Sequence, residues 1–151
     1  MDRNLRIRRA TIGDAPAIVP LLEQLGYPSS LSEVRERLEV ILERTDYATW
    51  VAQHGERVVG LAGARLGYAY EVSGIYGQLI ALVVEKAYRG RGIGAALVRE
   101  AEEWVKQRGG RTMALNSGTH RAEAHKFYER LGYVATGLRF VKKLQSGEDS
   151  M

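Results

Sequence analysis

The stretch Tyr88-Arg89-Gly90-Arg91-Gly92-Ile93-Gly94-Ala95 decides the reading of this chain. Just before it runs an apolar segment, Leu79-Ile80-Ala81-Leu82-Val83-Val84. Just after it, Leu97, Ala101, Trp104 and Val105 recur on one helical face. A strand, a glycine loop and a helix in that order point several main-chain N–H groups at one spot and add the positive end of the helix dipole. The three glycines have no Cβ, so a bulky anion can approach the backbone closely. Arg89 and Arg91 add fixed charge with forked donors suited to phosphate oxygens. The stretch reads as a pyrophosphate cradle.

Two other readings compete. Gly90, Gly92 and Ala95 also satisfy the G-x-G-x-x-A spacing of a dinucleotide-binding turn, as in a nucleotide-dependent oxidoreductase. That motif expects the first strand of a βαβ array and an acidic residue about 20 positions on. Here the loop lies past mid-chain, and the strand after its helix ends at Leu115-Asn116 without a carboxylate. The plainer alternative is a turn whose glycines serve only its shape.

Bulk composition narrows the classes. A chain of 151 residues is most simply one domain, here residues 1–144 with a disordered tail at 145–151. With 45% hydrophobic and 26% charged residues, the composition is that of a soluble globular protein. No cysteine is present, which excludes disulfides, thiolate metal sites and a cysteine nucleophile. His54, His120 and His125 stand in unrelated contexts, so no metal is expected. No apolar run reaches the ~20 residues of a membrane span and no signal-peptide core opens the chain, so a cytoplasmic location is the default. The net charge of +4 is spread along the sequence, which suits an anionic ligand without pointing to nucleic acid.

Outward from the loop, the remaining elements follow from period and punctuation. Leu5-Arg6-Ile7-Arg8 alternates as an opening strand. Gly13-Asp14 offers a turn and an N-cap, with Pro16 in the first turn of a helix through Ile18, Leu21, Leu22 and Leu25, which Gly26 stops. Ser30 and Glu33 form a capping box for a second helix carrying Val34, Leu38, Ile41 and Leu42. Trp50-Val51-Ala52, a turn at His54-Gly55, and Arg57-Val58-Val59 read as an antiparallel hairpin.

Residues 67–77 then interrupt as a loop or frayed strand pair. Tyr68, Tyr70, Glu71 and Tyr76 there could grip a cationic acceptor, or simply cover a twisted hairpin. Residues 79–84 suit a strand buried on both faces. Thr112-Met113-Ala114-Leu115 is the parallel strand after the crossover helix. A last helix holds Ala124, Phe127, Tyr128 and Leu131, and residues 134–144 offer one or two closing strands. The fold class is α/β: a mixed, mainly antiparallel sheet of about 6–7 strands with about 4 helices.

These residues resemble a known family. Arg89-Gly90-Arg91-Gly92-Ile93-Gly94 resembles the R/Q-x-x-G-x-G/A acetyl-CoA signature of the GNAT acetyltransferase superfamily. Asn116, followed by Ala124-His125-Lys126-Phe127-Tyr128-Glu129-Arg130-Leu131-Gly132-Tyr133, is similar to that superfamily's second conserved region. The element order matches over nearly the whole chain. The resemblance implies transfer of an acetyl group from acetyl-CoA to a primary amine, with acetyl-CoA as co-substrate and no metal.

It also implies a division of labour. Main-chain groups of Leu82, Val83 and Val84 would bond to the pantetheine arm in a gap between splayed parallel strands. The amides of residues 89–95, through Ala95, would hold the pyrophosphate. Asn116 would contact the pantetheine or order the neighbouring loop, and Tyr128 would direct its hydroxyl at the thioester sulfur. Arg121 could meet the nucleotide end. Homodimers are frequent among such relatives.

Elementary chemistry agrees with these roles. Direct attack needs a neutral amine, a polarised carbonyl and a stabilised thiolate. A phenol of pKa ~10 can protonate a thiolate whose conjugate acid has pKa ~8.5 as charge develops. For the base, Glu71 is the first choice as the lone acid among the tyrosines, with Glu85, His120 or a water chain as alternatives. The acceptor implied is a small amine of aminoglycoside, polyamine or aminoalkylphosphonate type. A protein or peptide amine, or a non-catalytic acyl-CoA-binding regulatory module, is the alternative.

Overall fold

In the computed structural model, which describes residues 4–117 and 122–145, helix boundaries fall where local chemistry places them. The amide of Glu33 donates to Ser30 Oγ at 3.2 Å and the amide of Ser30 donates to Glu33 Oε1 at 2.8 Å, the reciprocal capping box expected at the start of α2 (Leu31–Glu43). Helix α1 (Ala15–Leu25) stops at Gly26, whose φ of 107° lies in the left-handed region. Asp14 behaves otherwise than expected. It makes no side-chain cap to α1. Instead it is buried, accepting from the Thr11 amide at 2.8 Å and from both arms of the Arg8 guanidinium at 2.8 and 2.9 Å.

Contacts divide the chain into two compact units, Met1–Leu115 and Asn116–Met151. The first holds one sheet in the order β1 (Leu5–Arg9), β2 (Tyr47–His54), β3 (Arg57–Ala69), β4 (Val72–Val84), β5 (Met113–Leu115). The first three neighbouring pairs are antiparallel, and β4–β5 is parallel across the crossover helix α3 (Ile93–Gln107). Adjacent positions on β3 face opposite ways, so each face of the sheet finds its own helices. Leu61, with Val51 and Val83, packs under Ile18 and Leu21 of α1 and Val34 and Leu38 of α2. Gly60 turns to the other side, where a Cβ would stand 3.0 Å from Leu97 of α3. On that side Trp50 meets Trp104 edge to face, with centroids 5.7 Å apart.

Of the loop and the frayed strand pair read at residues 67–77, the strand pair forms: β3 and β4 continue through them as 13-residue strands joined at Tyr70-Glu71. Glycine at 77 is tolerated in the strand because Val105 and Met113 already fill the space a Cβ would take. One expectation is corrected: among the described residues the sheet has five strands rather than about six or seven, and residues 134–144 form none. Their apolar side chains, Val134, Leu138, Phe140 and Leu144, are each at least 75% exposed. The mixed, mainly antiparallel α/β class stands.

The second unit begins at Asn116. Its helix α4 (Ala122–Arg130) ends where the amides of Leu131 and Tyr133 both donate to the Tyr128 carbonyl and Gly132 adopts φ 96°. Expectations placed on Gly118, Thr119, His120 and Arg121, and on the tail from residue 146, lie outside the described residues. Among the described residues no helix is long and apolar enough to cross a membrane.

Candidate active site

The centre of the first unit is a defect in β4. Ala81 pairs with Gly63 and Leu79 with Ala64, so Ile80 is an extra residue with no counterpart on β3. This β-bulge turns Ile80 toward Gly63, where a Cβ would lie 3.4 Å from Ile80 Cγ1. On the other edge, β5 pairs with β4 over only three positions: Gly77 with Met113, Gln78 with Ala114, and Leu79 with Leu115. Pairing stops at the residue before the bulge. From Ile80 to Val84, β4 keeps β3 on one side and has no strand partner on the β5 side among the described residues. This stretch contains Leu82, Val83 and Val84, the positions expected to offer main-chain groups to an extended ligand arm. The Val84 carbonyl is already used, accepting from Arg89 Nε at 3.0 Å.

The glycine loop follows at once. Gly90 and Gly92 have φ of 79° and 83°, which requires glycine for reasons of backbone conformation. A Cβ at either position would meet nothing within 4 Å, so the loop borders open space. The first helical bond at the start of α3 is from the Ala96 amide to the Gly92 carbonyl, and no side chain caps the helix. The amides of Ile93, Gly94 and Ala95 are therefore left for an acceptor from outside, at the positive end of a 15-residue helix. Ile93 itself is buried and pins the loop to the sheet beside Gly60. The chemistry of this donor set fits a pyrophosphate.

Around the loop sits a cluster that period and spacing did not reveal. The Arg91 guanidinium lies over the Tyr88 ring at 4.9 Å and that of Arg57 at 5.8 Å, while His54 packs against the same ring at 5.3 Å. Glu85 accepts from the Ala87 amide at 2.8 Å and stands 3.6 Å from Arg57, so its carboxylate both caps a short 3-10 turn and balances a cation. The β2–β3 turn that brings in His54 and Arg57 is far from the loop in sequence. Only the sheet register places it beside the end of β4.

Farther up the hairpin the expected tyrosine cluster separates. Tyr68 and Tyr70 are 80% and 110% exposed, and Glu71 is exposed at the strand turn. Tyr76 alone turns onto the sheet, where Arg65 covers its ring at 5.8 Å. Glu71 stands nine residues before Ile80, about 30 Å at the rise of an extended strand.

In the second unit Asn116 is exposed. Tyr128 is half-buried between Phe127 and Tyr133, with ring centroids at 5.2 and 5.9 Å, so its ring is clamped edge to face on both sides.

Comparison with known proteins agrees with this geometry. Residues 17–133 match the model of the Acetyltransferase (GNAT) family. An aminoalkylphosphonate N-acetyltransferase of Salmonella typhimurium is 29% identical over 139 residues, covering 91% of this chain and 90% of that protein. A GNAT family acetyltransferase structure from Staphylococcus aureus superposes with a TM-score of 0.80 at 26% identity, covering 93% of this chain and 99% of the other. An aminoglycoside N-acetyltransferase solved in complex with CoA shares the fold, with a TM-score of 0.84 at 22% identity over 93% of this chain and 95% of its own. The matched region takes in the bulged strand, the glycine loop and the run from Ala124 to Tyr133, and this chain belongs to the GNAT family of acetyltransferases.

Proposed function

We propose that the protein moves the acetyl group of acetyl-CoA onto the primary amine of a small molecule by direct attack. The observation that carries this reading is the coincidence of the Ile80 bulge, the end of β5 pairing at Leu79 and the uncapped start of α3 within one stretch of chain. The open side of residues 80–84, with Leu82, Val83 and Val84, receives the pantetheine arm. The loop of Arg89, Gly90, Arg91, Gly92, Ile93, Gly94 and Ala95 receives the pyrophosphate. Asn116 contacts the pantetheine or orders the neighbouring loop, a role that rests on the family resemblance.

In the chemical step the amine nitrogen attacks the thioester carbon. The carbon–sulfur bond then breaks, and the Tyr128 hydroxyl gives its proton to the departing thiolate. Main-chain N–H groups at the bulge polarise the carbonyl as its oxygen gains charge. The ammonium proton leaves through water. Glu71, the first choice as base, is too far along β4 for direct contact and serves at most as the end of a water chain, while Glu85 is committed to its cap and to Arg57. A small acceptor is favoured because the Salmonella relative that covers nine-tenths of the chain is named for one. One acetyltransferase domain at residues 1–144, a cytoplasmic location and a homodimer belong to the same proposal, and the homodimer rests on the family resemblance alone.

Release of CoA thiol from acetyl-CoA across a panel of amines tests the reading. Turnover with a small amine is expected. Turnover confined to peptides or proteins would overturn the small-molecule part, and acetyl-CoA binding without any turnover would favour a regulatory module. In the Tyr128→Phe variant kcat should fall about 100-fold with acetyl-CoA binding retained; unchanged kcat removes Tyr128 as the acid.

A further inference from the structure

The face of the sheet that carries the bulge also carries a guanidinium held in place by neutral groups only. Arg65 sits opposite Gln78 in the β3–β4 register, on the same face as Gly63 and Ala81. Its Nε donates to Gln78 Oε1 at 2.8 Å and one Nη donates to the Tyr76 hydroxyl at 3.1 Å. Its Cζ lies 5.8 Å from the centroid of the Tyr76 ring, and its second Nη rests over Gly67, where a Cβ would stand 3.0 Å from it. The carboxylate of Asp46 acts on it only from a distance, being held by both arms of Arg44 at 2.9 and 3.0 Å. A half-buried arginine that is fixed by neutral groups and, among the described residues, has no carboxylate within ion-pair distance is a preset receptor for an anion.

The ground between Arg65 and the bulge is low. Gly63 has no side chain, Ala81 has only a methyl group, and Ile80 is 42% exposed. The guanidinium is held between Gln78, two residues from Ile80, and Tyr76, four residues from it, so it stands roughly 10 Å from the bulge at strand rise. Hydrogen-bond lengths of about 3 Å at each end leave about 4 Å between the attacking nitrogen and an anion on the same molecule. That separation suits one to three carbon atoms. The geometry points to Arg65 as the residue that reads an acidic group on the acceptor: the substrate is a short amine bearing a phosphonate, phosphate or carboxylate, and not a polycationic amine. The hairpin thus selects for the charge opposite to the one its tyrosines suggest in the sequence. This inference rests on the acetyltransferase reading and names its substrate class.

The test compares aminomethylphosphonate, β-alanine, n-propylamine, spermidine and an aminoglycoside as acceptors for the wild-type protein, Arg65→Gln and Arg65→Lys. The wild type should prefer the two anionic amines. Arg65→Gln should lose about 100-fold in kcat/KM on those two and change less than threefold on n-propylamine, with the KM for acetyl-CoA unmoved, while Arg65→Lys recovers part of the loss. Equal losses on charged and neutral amines would mark Arg65 as a structural rung of the hairpin and overturn the proposal. So would a wild-type preference for spermidine or the aminoglycoside. Binding of aminomethylphosphonate to the CoA-loaded protein, followed by calorimetry, separates the two levels. Binding that Arg65→Gln abolishes, with no turnover of any amine, would sink the transferase reading and keep the anion receptor. Neither binding nor turnover would sink the receptor as well.

Discussion

Along β4, residues 72–79 include Gly74, Tyr76 and Gly77, whereas residues 80–84 are aliphatic throughout. The apolar half reads as the better strand, yet it is the half with a free edge. Among the described residues, 77–79 lie between β3 and β5, whereas Ile80 bulges out and 81–84 pair with β3 alone. The difference separates two quantities that composition merges. Apolar side chains report exclusion from water, and the ladder is decided by which backbone lies alongside. Gly77 makes the point from the other direction: it weakens the strand by propensity, but α3 and β5 close over it through Val105 and Met113.

Substitutions along this strand sharpen the comparison. Gly77→Val places methyl groups where Val105 and Met113 already sit, and a loss of about 3 kcal/mol or more is expected in denaturant unfolding. A loss below about 1 kcal/mol would mean that α3 shifts freely over the paired half. Leu79→Ala, at a side chain only 5% exposed, should cost about 3 kcal/mol.

A reference outside both halves is Asp14, whose carboxyl is held below its usual range chiefly by the hydrogen bonds from Arg8. A carboxylate with a lowered folded pKa stabilises above its unfolded value of about 3.9, and that stabilisation fades as pH falls through the folded value. Asp14→Asn should therefore lose about 2 kcal/mol at pH 7, and the gap from wild type should narrow in melts taken toward pH 3.

Gly92→Ala forces a side chain into φ 83° at a cost of about 1–2 kcal/mol. Acetyl-CoA affinity should drop about tenfold in titration calorimetry, and undiminished affinity would remove the loop from the pyrophosphate site. The smallest effect is expected at the bulge. Ile80→Ala, beside Leu79 but 42% exposed, should change stability by less than about 1 kcal/mol. Equal costs at Leu79 and Ile80 would erase the distinction between the halves.

Much of this molecule is written locally. The Ser30–Glu33 box, the stop at Gly26 and the glycine loop ahead of α3 involve groups within about four residues of one another, so the sequence carries them almost unaided. The glycine loop was legible for the same reason. The roles proposed for Asn116 and Tyr128 rest only on resemblance to a family, because neither residue type states its chemistry at that spacing. The Ile80 bulge was not legible at all. It exists because β3 supplies one residue fewer than β4 between two matched pairs, and a register is a property of two strands that no single stretch contains. The neutral setting of Arg65 was likewise hidden, since its partners lie 11 and 13 positions away and meet it only across the hairpin.

By itself the sequence determined the helix ends and the glycine loop, which follow from period, caps and backbone freedom over short distances, and it disclosed the family through the resemblance of two motifs. Only the tertiary structure decided where β4 parts from β5, that Asp14 binds Arg8 and the Thr11 amide instead of capping α1, and that the tyrosine-rich hairpin presents a cation. Those outcomes depend on which distant backbone and which distant charge come to lie within about 3 Å, a distance that the folded chain alone sets.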